Sequence, residues 1–472
     1  MSKFKPTRGV EAPPWHAYSA PSSGAAAVAL APPPEPTAEG VTSEGPKGRV
    51  RVTDMAGTLG FIALSLSMVS GSLNDWFSLL FHSQAYLSTL LLPVLPILWI
   101  FTKNRLAGID HKIGRWWVAF LILLLLATPF SVWRRGTVNL LTTYLPRSYV
   151  LFFFTTAFLI GIQRCRKLLL VLICVDFFVL LTCIKFGTTS SDSRLYVKSS
   201  LFFQNSNELA MQLLVGISHF AFLLFGRGMV KKIFASGCIT LSLMYMLRTG
   251  SRGCLLAAVA YLLLLIFTSK NRLPVIAVSC FAMLLGIAFV PSATIGRLKL
   301  LDFEDAHYQA GVDVGAMESG MERKELLKRS LLETIKHPVF GVGPGEFAVA
   351  VAGEKEKKGE WADWLGTHNS YTQISAECGI PAFICYMAII VTSLMVNYRL
   401  FRATKDDPTL ADVTQVSYTT LCSCLIYAVC TFFFHAAYTG LLPTLSGITV
   451  ATFLSAQPLL SARKQTARTA SA

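Results

Sequence analysis

Apolar runs of about 15 to 28 residues follow one another along this chain, divided by short polar stretches. Runs of that length approach or exceed what a helix needs to span hydrocarbon, and the pattern predicts spans at 55–73, 86–102, 115–133, 148–162, 167–187, 207–226, 232–247, 252–268, 273–291, 371–398, 412–436 and 439–457. One polar stretch, 292–370, is far longer than the rest. Inside it, Leu326, Leu327, Ser330, Leu331, Thr334 and Ile335 recur at helical spacing opposite Glu322, Arg323, Lys324, Lys328, Arg329 and Glu333. That periodicity predicts an amphipathic helix over 321–336, ended by His337-Pro338 because the residue before a proline avoids helical backbone. The glycines of Gly341-Val342-Gly343-Pro344-Gly345 then predict a tight turn, and 353–360 reads as an exposed charged stretch.

Composition supports a membrane protein. Of 472 residues, 53% are hydrophobic and 15% charged, and the mean hydropathy is +0.53, far from a soluble domain of this size. Lipid leaves unpaired backbone groups without partners, so the expected fold class is an all-α integral membrane protein of about 12 transmembrane helices. The formal charge of +15 does not point to nucleic acid. Most of it falls in Lys and Arg clusters on one side of the spans: Lys47, Arg49 and Arg51; Lys103 to Arg115; Arg164, Arg166 and Lys167; Arg227 to Lys232; Lys270 and Arg272; Arg399 to Lys405; Arg463 and Lys464. That asymmetry marks the cytoplasmic side beside anionic lipid and puts both termini there. The first fifty residues, rich in Pro, Ala, Gly and Ser, lack the apolar core of a signal peptide and read as a disordered tail. The expected organisation is a cytoplasmic tail (1–50), nine spans (51–291), a periplasmic loop subdomain (292–370), three spans (371–460) and a second tail (461–472). Most of the eleven cysteines sit in or beside apolar runs and act as small hydrophobes.

Several ionisable residues break the charge rule. Arg194, Arg248, Arg252 and Arg323 fall on the side that should be poor in cations, together with His368. An anionic ligand outside the cytoplasm accounts for them. Thr249-Gly250-Ser251-Arg252-Gly253 opens the eighth span, where free N–H groups and an Arg fork suit phosphate oxygens. Arg248, four residues earlier, suits the same ligand or a lipid headgroup. Asn205 reads as a helix cap. Asn207 beside Glu208 places amide and carboxylate groups at a membrane entrance, where such groups usually serve a purpose. His368, within Gly366-Thr367-His368-Asn369-Ser370-Tyr371, has the imidazole chemistry to take a proton near neutral pH. Glu377 could orient it only if the helix start folds back. Asp302, Glu304, Asp305, His307 and Asp313 have no recognisable metal-loop spacing, and no Lys-Ser/Thr follows the glycine turn to make a P-loop. Neither a metal nor a cofactor is expected.

In order and separation these pieces resemble the O-antigen ligase family of bacterial inner-membrane glycosyltransferases. The match is carried by Arg194 with Phe203-Gln204-Asn205-Ser206-Asn207-Glu208-Leu209-Ala210, by Thr249 to Gly253, by Arg323 ahead of His337-Pro338-Val339-Phe340-Gly341-Val342-Gly343-Pro344-Gly345, and by Thr367-His368-Asn369-Ser370-Tyr371 with Glu377-Cys378-Gly379. The sequence departs from the family pattern at Ser206, where Pro is usual, and at Leu327, where Trp is frequent. The resemblance implies a GT-C-like fold and metal-independent, inverting transfer of a glycan from undecaprenyl diphosphate to lipid A-core, to another glycan chain or to a protein hydroxyl. It also implies His368 as general base and Arg194 and Arg252 as diphosphate ligands, with Arg248, Arg323, Asn207, Asn369 and Glu377 as further substrate contacts. Two other expectations remain open: a polymerase for O-antigen or exopolysaccharide on the same scaffold, and a lipid-linked-oligosaccharide transporter without bond chemistry. A transporter should line a midplane path with cations; Asp176 lies inside a span, but the basic cluster sits at one face.

Overall fold

The computed structural model describes residues 54–82, 91, 93–190, 194–198, 205–269, 272–273, 277, 284, 314–361 and 364–471. The predicted N-terminal tail, nearly all of the span at 273–291 and the acidic cluster at 302–313 lie outside the described residues. The described part is helical, with one small hairpin. In chain order the helices are α1 (Met55–Phe81), α2 (Val94–Phe101), α3 (Ala107–Asp110), α4 (Lys112–Ala127), α5 (Arg134–Tyr144), α6 (Val150–Phe158), α7 (Ile162–Phe186), α8 (Ser206–Phe222), α9 (Met229–Arg248), α10 (Arg252–Thr268), α11 (Val314–Lys336), α12 (Phe347–Lys357), α13 (Ser370–Thr404), α14 (Ala411–Cys430) and α15 (Leu441–Ser471). Strands β1 (Gly187–Thr189) and β2 (Leu195–Val197) pair antiparallel between α7 and α8.

Eight helices among the described residues are long and apolar enough to cross a membrane: Met55–Phe81, Lys112–Phe130, Ile162–Phe186, Ser206–Phe225, Met229–Arg248, Ser370–Thr404, Pro408–Cys430 and Leu441–Arg463. Arg252–Thr268 is a shorter apolar helix. Of the remaining expected spans, 86–102 is represented by α2 and 148–162 by α6. The stretch 134–147, expected as a loop, is instead helix α5 continued through a π-turn at Leu145–Tyr149. Pro146 lies in that turn and has no N–H to give, so the ladder widens there and Val150 N–H reaches back to Leu145 O.

The bundle packs through aromatic and small residues. Trp117, Phe120, Phe152, Phe158, Tyr386 and Tyr427 are fully buried. Trp117 Nε1 donates to Ser446 Oγ at 2.9 Å, and the Tyr386 and Tyr427 hydroxyls meet at 2.9 Å. Along α15, Ser446, Thr449, Thr452 and Ser455 each donate to the carbonyl four residues back, at 2.6–2.8 Å. Such back-bonding satisfies the hydroxyls inside their own helix and lets neighbouring backbones approach closely. Between α7, α8 and α14, Asp176 accepts from Gln212 Nε2 at 2.7 Å and meets His219 Nδ1 at 2.6 Å, and His219 Nε2 meets Ser423 Oγ at 3.2 Å. Asp176 is thus a bonded strut between helices.

The two ends of α13 mark the two ends of the bundle. Near Thr404 gather several cations expected on the cytoplasmic side: Arg166 pairs with Asp412 at 2.6 Å, Arg463 with Asp407 at 3.1 Å, and Arg164 donates to Thr58 Oγ1 at 2.8 Å. Near Ser370, at the other end, the cations that broke the charge rule collect.

Candidate functional site

The site is assembled at a break in α13. Gly379 leaves the helical region, with φ 84° and ψ 172°, and Pro381 offers no N–H, so carbonyls ahead of the break lose their helical partners. The glycine turn after α11 supplies replacements. Val342 N–H donates to Ala376 O and Gly343 N–H to Glu377 O, both at 2.9 Å, while Ile380 N–H donates to Pro338 O at 2.8 Å. This is backbone against backbone. A Cβ on Gly341 would collide with the Glu377 carbonyl, and one on Gly379 with Val339 O. Gly341, Gly343 and Gly345 also have φ of 66°, 110° and 82°, a region that L side chains avoid. The predicted turn is therefore a structural insert that seals a broken helix. Phe340 stacks on Phe130 with ring centroids 4.4 Å apart, and Val132 N–H donates to Val342 O at 2.9 Å. Those contacts anchor the insert to the 3₁₀ turn at the end of α4.

Above that break, the first turn of α13 is stitched to residues 431–440. Asn369 caps the helix, its Oδ1 accepting from Tyr371 N–H at 2.8 Å and Thr372 N–H at 3.2 Å. Ser370 N–H donates to Thr431 O at 2.8 Å; its hydroxyl donates to Phe434 O at 2.9 Å and accepts from Ala436 N–H at 2.7 Å. The expected two-residue loop at 437–438 is accordingly ten residues long, because α14 ends at Cys430. The apolar run Phe432-Phe433-Phe434 reads as a continued span, but these residues form turns. Glu377 is buried, and its Oε2 accepts from Gly345 N–H at 2.9 Å and from the Tyr438 hydroxyl at 2.7 Å. These bonds make it a brace among the glycine turn, α13 and the link.

The cations come from the other half of the bundle. Arg194, just before β2, donates through Nε to Thr249 O at 3.0 Å and through Nη2 to Asn207 Oδ1 at 2.8 Å. Asn205 caps α8 as expected, accepting from Asn207 N–H at 2.9 Å and Glu208 N–H at 3.0 Å. One guanidinium therefore ties the hairpin to the start of α8 and to the turn before α10. Gly250 has φ 63° and Ser251 caps α10, placing Arg252 in its first turn. Gly253 packs so closely on Phe433 that a Cβ would collide with that side chain, and the Cys254 and Cys430 sulfurs lie 3.5 Å apart. The start of α10 thus abuts the link that holds the start of α13. Arg248 lies apart from these bonds, with its guanidinium 5.6 Å from the ring of Tyr245 on its own helix.

His368 sits where these pieces meet. Its φ is 50°, in the left-handed region, which is uncommon for a residue with a side chain and often marks a constrained site. Burial, with the neighbouring His435 and the guanidiniums of Arg323 and Arg194, pushes its imidazole down to about 4. Loss of hydration and nearby positive charge both disfavour a cationic ring. At neutral pH His368 is therefore a neutral imidazole in positively charged surroundings. The structure thus brings Arg194 and Arg323 toward His368, with Asn207 bonded to Arg194 and Asn369 next in the chain, while Arg252 opens the helix whose following residue, Gly253, packs on the link. Glu377 is in the same assembly but one layer below, and Arg248 is at its margin.

Sequence reasoning passed over His435. Its ring centroid is 5.3 Å from that of His368, and Gly366 passes so close that a Cβ there would lie 3.0 Å from the His435 ring. The available signal was an ionisable residue at the end of a span on the same side as His368, masked by three phenylalanines before it. Glu346 was also missed. It is buried beside Thr137, 3.5 Å from that hydroxyl, and burial pushes its carboxyl up to about 7. Among the described residues no group of three or more His, Cys, Asp or Glu side chains is arranged to hold a metal.

No curated protein matches this chain. Residues 237–387 match the family model for O-antigen ligase. That interval runs from α9 to the middle of α13 and contains Arg248, Arg252, Arg323, His368, Asn369 and Glu377. The match spans about a third of the chain, so the segment 237–387 is similar to the O-antigen ligase family, within a chain whose long apolar helices suit a multi-pass membrane protein.

Proposed function

We propose that this protein is a glycosyltransferase working at the periplasmic face of the inner membrane, moving a glycan from undecaprenyl diphosphate to an acceptor hydroxyl, with lipid A-core as the acceptor. The observation that carries the reading is the meeting of one neutral imidazole with several guanidiniums at the end of the bundle opposite the Arg166 and Arg463 ion pairs. Sugar transfer from a lipid diphosphate needs both parts. As the anomeric C–O bond breaks, charge grows on the diphosphate, and Arg252, Arg194 and Arg323 are preorganised to stabilise it. As the new bond forms, the acceptor hydroxyl must lose its proton, and His368 has the lone pair to take it. Direct attack by the acceptor on the face opposite the diphosphate inverts the anomeric carbon and needs no metal. A bound diphosphate also offsets the cationic surroundings that hold the His368 ring down, so the base strengthens when the donor arrives.

Asn207 and Asn369 would complete the pocket with amide groups. Arg248 would meet the diphosphate or a lipid headgroup from the margin, and Glu377 would serve the pocket by fixing its floor. The layout that goes with this reading has both termini cytoplasmic, a tail over 1–50, about twelve spans in a GT-C-like fold, and 292–370 as a periplasmic subdomain that excludes water from the reacting bond. A polymerase would use the same residues and differ only in its acceptor.

The deciding experiment is transfer in vitro from a defined undecaprenyl-diphosphate oligosaccharide, with EDTA present and with lipid A-core and free glycan offered separately. Product on lipid A-core supports the ligase. Product on free glycan alone moves the assignment to a polymerase. Donor binding without any glycoside formed removes the enzymatic reading and favours the transporter.

A further inference from the structure

His435 is the one imidazole close to His368 that no motif or family match covers, since it lies 67 residues further on and outside 237–387. We propose that His435 is the proton-accepting partner of His368, taking the proton from it after the acceptor hydroxyl has given it up. The inference rests on the reading of His368 as general base.

Three observations carry it. The rings are 5.3 Å apart at their centroids and tilted by 59°, which makes the two imidazoles direct neighbours. His435 Nδ1 is buried and has no hydrogen-bond partner among the described residues. A buried polar atom without a partner costs free energy, and a chain that leaves one beside a reacting centre has a use for it there. The segment carrying His435 is clamped on both flanks, by Ser370 on Phe434 O and Ala436 N–H and by Gly253 against Phe433. Gly366 packs against its ring at a distance that a Cβ would crowd. The backbone that carries this side chain is therefore held by contacts from both flanks.

The protonation states agree. Burial pushes the His435 imidazole below its usual value, so both rings are neutral at rest. The charged groups facing His368 are Arg323 from α11 and Arg194 from the hairpin, and both oppose a lasting imidazolium. A proton taken by His368 therefore needs an exit. The balanced step is as follows. The acceptor O–H bond breaks as the new O–C1 bond forms. The electron pair of the C1–O bond leaves with the lipid diphosphate. The proton goes to His368, from there to the lone pair of His435, and finally to water or a diphosphate oxygen. A hydrogen bond from His368 to His435 is charge-assisted while His368 carries the proton, so the contact is stronger in the transition state than at rest, as rate enhancement requires.

The test uses full-length protein in nanodiscs with undecaprenyl-diphosphate oligosaccharide as donor, lipid A-core and free glycan as acceptors, and release of undecaprenyl diphosphate as readout. His435→Gln is expected to lower kcat by about 10- to 100-fold and leave the donor KM within about twofold. It should also displace the acid limb of the rate profile, while added imidazole restores part of the rate to His435→Ala. A His435→Gln enzyme with unchanged kcat and pH profile overturns the proposal. So does a loss that follows thermal stability and does not respond to imidazole. His368→Ala runs alongside. If it is inactive while His435→Gln is fully active, only this inference falls. If it is active, or if the unsubstituted protein turns over neither acceptor, the reading of the base falls and takes the inference with it.

Discussion

Two histidine centres differ in how fully their polar atoms are engaged. Around His219, every polar atom is engaged: Asp176 holds the ring, Gln212 holds Asp176, and Ser423 joins the far nitrogen to Ser218 at 2.8 Å. His219 and Asp176 are 2% and 3% exposed, deep between α7, α8 and α14. Around His368 and His435 the reverse holds. The backbone bends into the left-handed region, one imidazole nitrogen is left without a partner among the described residues, and guanidiniums face the ring instead of a carboxylate. A saturated polar cluster joins helices, since lipid offers no other partner for its members. An unsaturated one keeps its lone pairs for something that arrives. Under the proposed function, that difference, and not residue type, divides framework from chemistry.

Substitutions can break this comparison, beginning with the largest effect. His368→Ala should lower transfer by about 10²- to 10⁴-fold with an unchanged melting temperature, measured by donor turnover and thermal unfolding in detergent. A parallel loss of stability would place His368 with the framework. Arg252→Ala should cost about 10²- to 10³-fold in kcat through lost charge stabilisation. Arg194→Ala should do the same and also lower stability, since it strands Thr249 O and Asn207 Oδ1. Lysine at position 194 should recover little, because one ammonium does not reproduce a fork with two directed bonds.

His219→Ala or Asp176→Asn should show the opposite profile. Each should destabilise the protein by about 1–3 kcal/mol while the folded fraction keeps its turnover, read as activity per folded molecule. The smallest effect concerns acid stability. An unfolded His368 binds its proton near 6.5 and the folded one only near 4. As pH falls through that window the unfolded state gains a proton that the native state refuses, so stability declines. His368→Gln should flatten that part of the stability profile, measured by unfolding midpoints between pH 7 and 4; an unaltered slope would mean the ring is hydrated.

Much of the helical layout was legible, and its failures have specific causes. Spans near α1, α4, α7, α8, α9, α13, α14 and α15 appear as apolar runs because hydrocarbon demands them. The helix predicted over 321–336 is the later part of α11, which begins at Val314, and periodicity and proline signalled that part and its stop before Pro338. Helix α5 was missed because Arg134, Arg135 and Pro146 suggested a loop, while its stability comes from distant bonds such as Thr137 Oγ1 to Pro344 O at 3.1 Å. The link 431–440 was missed for the opposite reason: three phenylalanines look like membrane, and what unwinds them is Ser370, more than sixty residues away in sequence. Charge placement exposed Arg194, Arg252, Arg323 and His368. It could not expose His435, whose importance is a matter of distance.

Local chemistry and the lipid solvent act on each segment separately, so the order of the residues alone determined that this chain crosses a membrane as helices, which side gathers ordinary cations, where helices begin at Asn205, Ser251 and Asn369, and which charges are out of place. Tertiary structure decided what those charges do. Only when the glycine turn seals the break in α13, Gly253 meets Phe433 and Ser370 grips the final link do groups from five separate stretches come within reach of one another. Such convergence depends on pairings between residues far apart in the chain, and no window of sequence contains them.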